Sequence, residues 1–271
     1  MGCAKIKIVK KLGIAVILLI ALFMIVNSAD AYEVHTIKWN TQGDISKNKI
    51  LYKNIPKSAL TTKIIKESKK GTVILKFGNK KGNKTLIVAG VHGNELSSQV
   101  AAFKLVNKLK INEKKLKGIV YVIPVLVPKS TQNSQRFFKG YNLNKVANKK
   151  GSVTYELIKK IKKYKINAVG DFHCSRPGGV PGKDVALGTY LPCKKSGKMA
   201  IAISKMTRLS YINEKYAAVS YPGALEDNLN LQMVPAVTCE VKTPHGTIAK
   251  GSVSKSYNMM IAFLKFNKQW S

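Results

Sequence analysis

The sequence predicts an α/β domain whose sheet is mixed, mainly parallel, and covered by helices on both faces. Three observations carry this reading. Short apolar runs of the kind that form buried strands recur at residues 84–91, 118–126, 166–173 and 235–241. Helix-spaced segments alternate with them, which is the signature of crossover connections in a parallel sheet. The chain has 271 residues, 45% of them hydrophobic, enough to build one core of about 240 residues once a targeting segment is set aside.

The first element is a targeting signal. Lys5, Lys7, Lys10 and Lys11 precede an unbroken apolar run from Leu12 to Val26, and Ala29 and Ala31 follow in an A-x-A arrangement. This is the charged, apolar and small-residue order of a secretory signal peptide. The run is shorter than the roughly 20 residues of a spanning helix, so cleavage after residue 31 is favoured over a retained membrane anchor. Cys3 precedes the apolar run, so it is not a lipobox cysteine. The expected division is therefore a signal peptide or anchor over 1–31, a polar, irregular leader over 32–70 and a catalytic domain over 71–271. The protein is expected at the cell surface or outside the cell.

Within the domain, residues 72–77 (TVILKF) and 84–91 (KTLIVAGV) read as strands joined by a Gly-Asn-Lys-Lys-Gly-Asn turn. Leu96, Val100, Phe103, Val106 and Leu109 then recur at three- and four-residue steps, an amphipathic helix. Residues 118–126 form a buried-type strand, and a long polar loop runs from 128 to about 150. Residues 153–164 set Leu157, Ile158 and Ile161 among lysines, a basic helix. Residues 166–173 are a strand, followed by a loop rich in glycine and proline. Residues 184–191 read as a strand, 196–208 as a helix, 225–233 as a helix, 235–241 as a strand and 253–268 as a final helix.

The net charge is +34, and residues 1–31 contribute only +3 of it. The excess of +31 therefore belongs to the mature domain. Such a charge suits nucleic acid in a cytosolic protein, but export argues against that partner, and no zinc-finger spacing or aromatic–basic interleaving supports it. An anionic envelope polymer fits better, and ordinary solvated lysine faces fit best. Three cysteines remain after cleavage: Cys174, Cys193 and Cys239. An odd count without a CxxC pair is no disulfide scaffold.

The chemistry starts at GVHGNE (90–95), where a strand-like run stops at His92 and Glu95 opens a helix. Alone, the pair is equally a loop histidine beside an acid that suits a helix N-terminus. DFH (171–173) adds His173, and His92, Glu95 and His173 together make the His₂Glu donor set of a catalytic zinc site with one open position. Asp171 shares a strand face with His173 and has no assigned role. Glu240 sits inside an apolar strand, where an unpaired carboxylate is costly. Facing an activated water, it would accept that water's proton and return it to a leaving nitrogen. Arg136 is one of three arginines among 47 basic residues, which points to use of its planar fork, here on a developing oxyanion. Cys174 and Cys239 neighbour these residues in sequence and so point to the opposite face, into the core. His245, in TPHG, reads as a loop histidine.

HGNE at 92–95, Arg136, NLNK at 142–145, DFH at 171–173 and PGALEDN…VPAVTCE at 222–240 resemble the zinc carboxypeptidase superfamily, in which HxxE, Arg, Asn-Arg, His and Glu follow in that order. The compact spacing looks most like its succinylglutamate desuccinylase/aspartoacylase branch. The resemblance spans about residues 72–265. It implies an eight-stranded mixed sheet between helices, one zinc ion held by His92, Glu95 and His173, and Glu240 as general base. It also implies that Arg136 polarises the scissile carbonyl and that Asn144 helps hold a substrate carboxylate. Lys145 stands where the family has arginine, a point charge in place of a bidentate clamp. Tyr221 or Tyr216 corresponds to a mobile tyrosine, and Glu226 either lines a side-chain pocket or is an ordinary acid in a first helical turn. The 31 residues after Glu240 favour a peptidase-like single domain. The expected function is an exported zinc-dependent amide hydrolase, a carboxypeptidase on short or cell-envelope peptides, acting as a monomer. Deacylation of small N-acyl amino acids is one alternative. A catalytically inactive basic module for an anionic polymer is the other.

Overall fold

The computed structural model describes residues 32–78 and 81–270. The targeting signal expected at 1–31 lies outside the described residues. Among the described residues, no helix is long and apolar enough to cross a membrane. Eight strands form one sheet: β1 (Tyr32–Ile37), β2 (Thr72–Phe77), β3 (Lys84–Ala89), β4 (Ile119–Ile123), β5 (Ala168–Ser175), β6 (Val185–Leu191), β7 (Ser210–Tyr216) and β8 (Ala236–Lys242). Their spatial order is β1-β2-β4-β3-β5-β8-β6-β7. The centre, β4-β3-β5-β8, is parallel. Towards the edges, β1–β2, β2–β4 and β6–β8 are antiparallel, so the sheet is mixed and its parallel character is confined mostly to the middle.

The helices are α1 (Lys49–Asn54), α2 (Ala59–Ser68), α3 (Leu96–Ile111), α4 (Pro128–Gln132), α5 (Val153–Tyr164), α6 (Lys194–Thr207), α7 (Leu225–Leu231) and α8 (Ser252–Phe266). Side chains alternate across the sheet with period two. Ile87, Phe172, Cys174, Val237 and Cys239 face one layer, which α1, α2, α3, α6 and α8 complete. Leu86, Val88, Val169 and Ala236 face the other layer, which α5 and α7 cover. Cys174, Cys193 and Cys239 are free and buried, and the two beside site residues do face the core.

Three expectations need correction. Residues 32–70 are no irregular leader. They belong to the same compact unit as the rest, with β1 paired to β2 and with Leu51, Leu60 and Ile64 in the core. Asn48 and Ser58 cap the two helices by accepting N–H bonds from Leu51 and Thr61. The apolar positions are too few and too spaced to stand out, because each element buries only one side. Strands β2 and β3 follow one another in sequence but are separated in the sheet by β4. Strand β7 (SYINEKY) was not expected, because a half-exposed edge strand pairs through its backbone and needs little apolar patterning.

The topology positions the site. From β3 the chain crosses to β4 on one side, and β5 then pairs with β3 on the other. The order reverses at the carboxyl ends of β3 and β5, which opens a crevice where ligands bind in such sheets. His92 and Glu95 follow β3, and His173 lies near the end of β5.

Candidate active site

The HGNE loop is shaped by close packing. A side chain at Gly93 would place its Cβ 2.1 Å from the Ser130 carbonyl carbon, so only glycine lets this loop lie on α4. Gly93 N–H donates to the Gln135 carbonyl (2.8 Å), and the buried Gln99 amide donates to the carbonyls of His92 (3.2 Å) and Glu95 (3.2 Å). Glu95 occupies the N-cap position of α3 yet makes no capping bond with its side chain. Its carboxylate turns to the crevice instead.

There it meets two imidazoles, a guanidinium and a backbone N–H. Oε1 lies 2.7 Å from His92 Nδ1 and accepts from Arg136 Nη1 at 2.7 Å. Oε2 lies 2.8 Å from His173 Nδ1 and accepts the Cys174 N–H at 3.0 Å. The two imidazole centroids are 5.2 Å apart. All three side chains are buried, and one ligand atom from each lies within 4.8 Å of the others.

The outer nitrogens explain the arrangement. Asn142 Oδ1, an acceptor only, sits 2.8 Å from His92 Nε2, which must therefore donate. Asp171 Oδ2 makes an ion-pair contact with His173 Nε2 at 2.9 Å. With Nε2 carrying the proton on His92, its Nδ1 lone pair points at the Glu95 carboxylate. Three groups of metal-ligand type thus converge in a buried space that could hold a cation. Holding a ligating histidine through its second nitrogen is the usual support of a metal site. The donor set suits zinc. Burial pushes the Glu95 carboxyl up, but the His92 and His173 imidazoles outweigh burial and hold it well below the ordinary range. Burial works against protonation of His173, yet Asp171 and Glu95 raise its pKa well above normal.

Glu240 on β8 is the register partner of His173 on β5, and the two share a sheet face. Its Oε2 is buried without a hydrogen-bond partner. Burial pushes its pKa up to about 8, against the lowering effect of His173. A cavity of about 360 Å³ opens beside it. Arg136, Asn144, Lys145, Tyr221 and Glu226 all line that cavity, together with His92, His173 and Glu240. Tyr216 does not line it and lies on β7, half exposed, so only Tyr221 of the two candidate tyrosines reaches the cavity. Gly223 seats the Tyr221 segment: its φ is +85°, and a Cβ there would lie 2.3 Å from the Lys145 carbonyl oxygen. Asn144 Oδ1 is buried without a partner.

Glu226, at the start of α7, is 4% exposed and lines the cavity, so the reading of an ordinary first-turn acid does not hold. Burial, with Asp227 and Asp171 nearby, raises its pKa well above the carboxylate range. Sequence reasoning missed Asn142 and Gln99, and read His245 as a loop residue. His245 Nε2 in fact donates to the Cys174 carbonyl (2.9 Å) and lies 3.8 Å from Glu95 Oε1. No local pattern marks Asn142 or His245, because each reaches the site through a contact distant in sequence, whereas Gln99 is a near neighbour that reads as one more polar helix residue.

Residues 81–174 match the family model of the succinylglutamate desuccinylase/aspartoacylase catalytic domain. No curated protein matches the chain. Among solved structures, an aspartoacylase family protein from Mesorhizobium loti is 17% identical, with a TM-score of 0.57, covering 74% of this chain and 62% of that one. A metallo-carboxypeptidase from Burkholderia cenocepacia is 14% identical, with a TM-score of 0.59 over 91% of this chain and 67% of that one. A putative metallopeptidase from Shewanella amazonensis is 14% identical, with a TM-score of 0.59 over 82% of this chain and 94% of that one. At these identities the likeness is one of fold, and the chain spans about 62–64% of the length of the first structures it matches. The chain thus matches the succinylglutamate desuccinylase/aspartoacylase catalytic-domain model over residues 81–174 and is similar in fold to an aspartoacylase family protein and to metallo-carboxypeptidases.

Proposed function

We propose that the protein is a zinc-dependent amide hydrolase acting on the C-terminal bond of short peptides, and that it acts outside the cell as a monomer. The observation that carries the hydrolase reading is the convergence of His92 Nδ1, His173 Nδ1 and the Glu95 carboxylate, with an unpaired Glu240 oxygen beside them. These three residues would hold zinc, which when bound polarises a carbonyl and acidifies water. The remaining chemistry belongs to the chain. Glu240 accepts the proton of the attacking water and returns it to the leaving amine. Arg136 donates to the oxygen that gains charge as the carbonyl becomes tetrahedral. Asn144 and Lys145 bind the terminal carboxylate, Tyr221 closes over it, and Glu226 meets the polar end of the leaving residue's side chain. Sub-stoichiometric zinc in the purified chain, or undiminished peptide cleavage by Glu240→Gln, would overturn the reading. The proposed export is checked separately by the N-terminal residue of protein recovered from the culture medium.

The family match favours a second reading, deacylation of small N-acyl amino acids. A panel of N-acyl amino acids and dipeptides of equal size separates the two. The peptidase reading expects higher kcat/KM on peptides, and the deacylase reading expects the reverse.

A further inference from the structure

A cavity of about 320 Å³ lies apart from the catalytic one and shares no lining residue with it. Its size falls in the range of about 300–1,000 Å³ in which small ligands bind. One segment serves both cavities. Arg136, Asn142, Asn144 and Lys145 line the catalytic one, whereas Phe138, Tyr141, Leu143 and Val146 line the other. Leu143, Val146 and Val153 are buried and give this cavity an apolar base, to which Trp39, Phe138 and Tyr141 add three aromatic rings. Tyr141 is 53% exposed, so much of its ring is left uncovered by the chain.

Two turns build it. Phe138 and Tyr141 exchange a pair of backbone bonds, each 3.0 Å, and Lys139 and Gly140 between them take φ +49° and +78°, as in a type I′ turn. Ser152 Oγ donates to the Val146 carbonyl (2.7 Å) and accepts the Tyr155 N–H (3.1 Å), which ties the turn carrying Lys149 and Lys150 to the start of α5. Lys139, Lys149 and Lys150 are exposed lining residues, and no Asp or Glu lines the cavity. Among the described residues, no carboxylate forms an ion pair with any of the three. The acid nearest to them in sequence, Glu156, is paired with Lys159 at 3.0 Å. The catalytic cavity differs, because Glu226 and Glu240 line it.

A cleft lined by one sign of charge concentrates counter-ions. Here the charge sits beside apolar surface: Lys139 Nζ lies 5.5 Å from the Phe138 ring centroid, and Lys149 Nζ lies 5.7 Å from that of Tyr141. A ligand that meets both features carries its anion next to an apolar body. The cations are all lysines, point charges without a planar fork, which suit the doubly charged phosphate better than a carboxylate. We infer that this cavity binds a small ligand in which a ring carries a phosphate. The ring lies among Trp39, Phe138 and Tyr141, and the phosphate meets Lys139, Lys149 and Lys150. The inference stands independently of the hydrolase reading.

The test titrates phenyl phosphate, glucose 1-phosphate and inorganic phosphate into the zinc-loaded full chain. Trp39 is one of only two tryptophans, so its fluorescence reports occupancy. A ring phosphate should change that fluorescence saturably and bind about 10-fold more tightly than inorganic phosphate, through the contacts of its ring. Whichever of phenyl phosphate and glucose 1-phosphate binds more tightly identifies the ring as aromatic or as a sugar. Trp39→Phe should remove the fluorescence change while calorimetry still detects binding. Lys149→Gln combined with Lys150→Gln should weaken the ring phosphate about 10-fold, the loss of charged hydrogen bonds. Tyr141→Ala should weaken the ring phosphate and leave inorganic phosphate unchanged. The proposal fails if neither ring phosphate binds more tightly than inorganic phosphate. It fails equally if binding leaves Trp39 fluorescence unchanged and survives the lysine double variant, since the ligand then sits in the catalytic cavity.

Discussion

Glu95 and Glu226 line two adjoining cavities with nearly the same burial, 2% and 4% exposed, yet they meet the cost of burial in opposite ways. Glu95 meets two imidazoles, a guanidinium and a backbone N–H, and stays ionised. Glu226 meets one hydroxyl, that of Thr238 at 3.3 Å, with Asp227 and Asp171 as acidic neighbours, and burial beside them pushes its pKa well above the ordinary carboxylate range. A buried carboxyl keeps its charge only when counter-charges exceed the lost hydration; otherwise it neutralises. The pair teaches that burial by itself does not define a metal ligand. In a chain of 47 basic and 13 acidic residues, a buried acid without a cation has been kept from the lysines by its position.

Substitution at Glu95 breaks the comparison most severely. Glu95→Gln should abolish zinc binding and activity. It should also destabilise the metal-free chain by about 3–5 kcal/mol, because the imidazoles and Arg136 lose their buried counter-charge. Metal analysis and denaturant unfolding check both effects, and wild-type zinc content would refute the assignment.

Glu240→Gln should keep zinc and lose about 10²- to 10⁴-fold in kcat, the usual range for a general base. In the wild type, the base works ionised, so activity rises with pH. The metal-free pKa of about 8 is an upper bound on that limb, because an added cation favours the charged form. Arg136→Ala should cost about 10²- to 10³-fold in kcat with a smaller change in KM, as an oxyanion donor does.

Glu226→Gln sharpens the contrast with Glu95. Its unfolded-state pKa is near 4.5 and its folded value lies well above. Between the two, the native state binds more protons than the unfolded state, so wild-type stability falls as pH rises through that window. Below 4.5 both states are protonated and this group contributes fully. The variant should lose the slope, so its melting temperature should exceed the wild type's by more at pH 8 than at pH 4. An unchanged slope would reassign the effect to Asp227. Lys145→Arg should give the smallest change, a KM lower by about fivefold for substrates with a free carboxylate, since a bidentate fork replaces a point charge.

Periodicity carried far in this protein where elements bury a full face. The helix at 153–164 was legible to the residue, because Leu157, Ile158 and Ile161 stand out among lysines. Strands β3, β5 and β8 were legible as near-continuous apolar runs, with ends displaced by one or two residues. Segment 32–70 and strand β7 were not, because partly covered elements tolerate polar residues wherever the backbone pairs.

The sequence alone determined the donor chemistry: an ordered His92, Glu95, Arg136, His173 and Glu240 in a domain of alternating strands and helices. Tertiary structure alone decided which groups hold those donors. Asn142 holds His92, Asp171 lies in ion-pair contact with His173, and Tyr221 reaches the cavity in place of Tyr216. The physical reason is range. Residue type and local period follow from neighbours a few positions away, whereas hydrogen-bond partners and counter-charges are set by chain segments that meet only when the sheet forms.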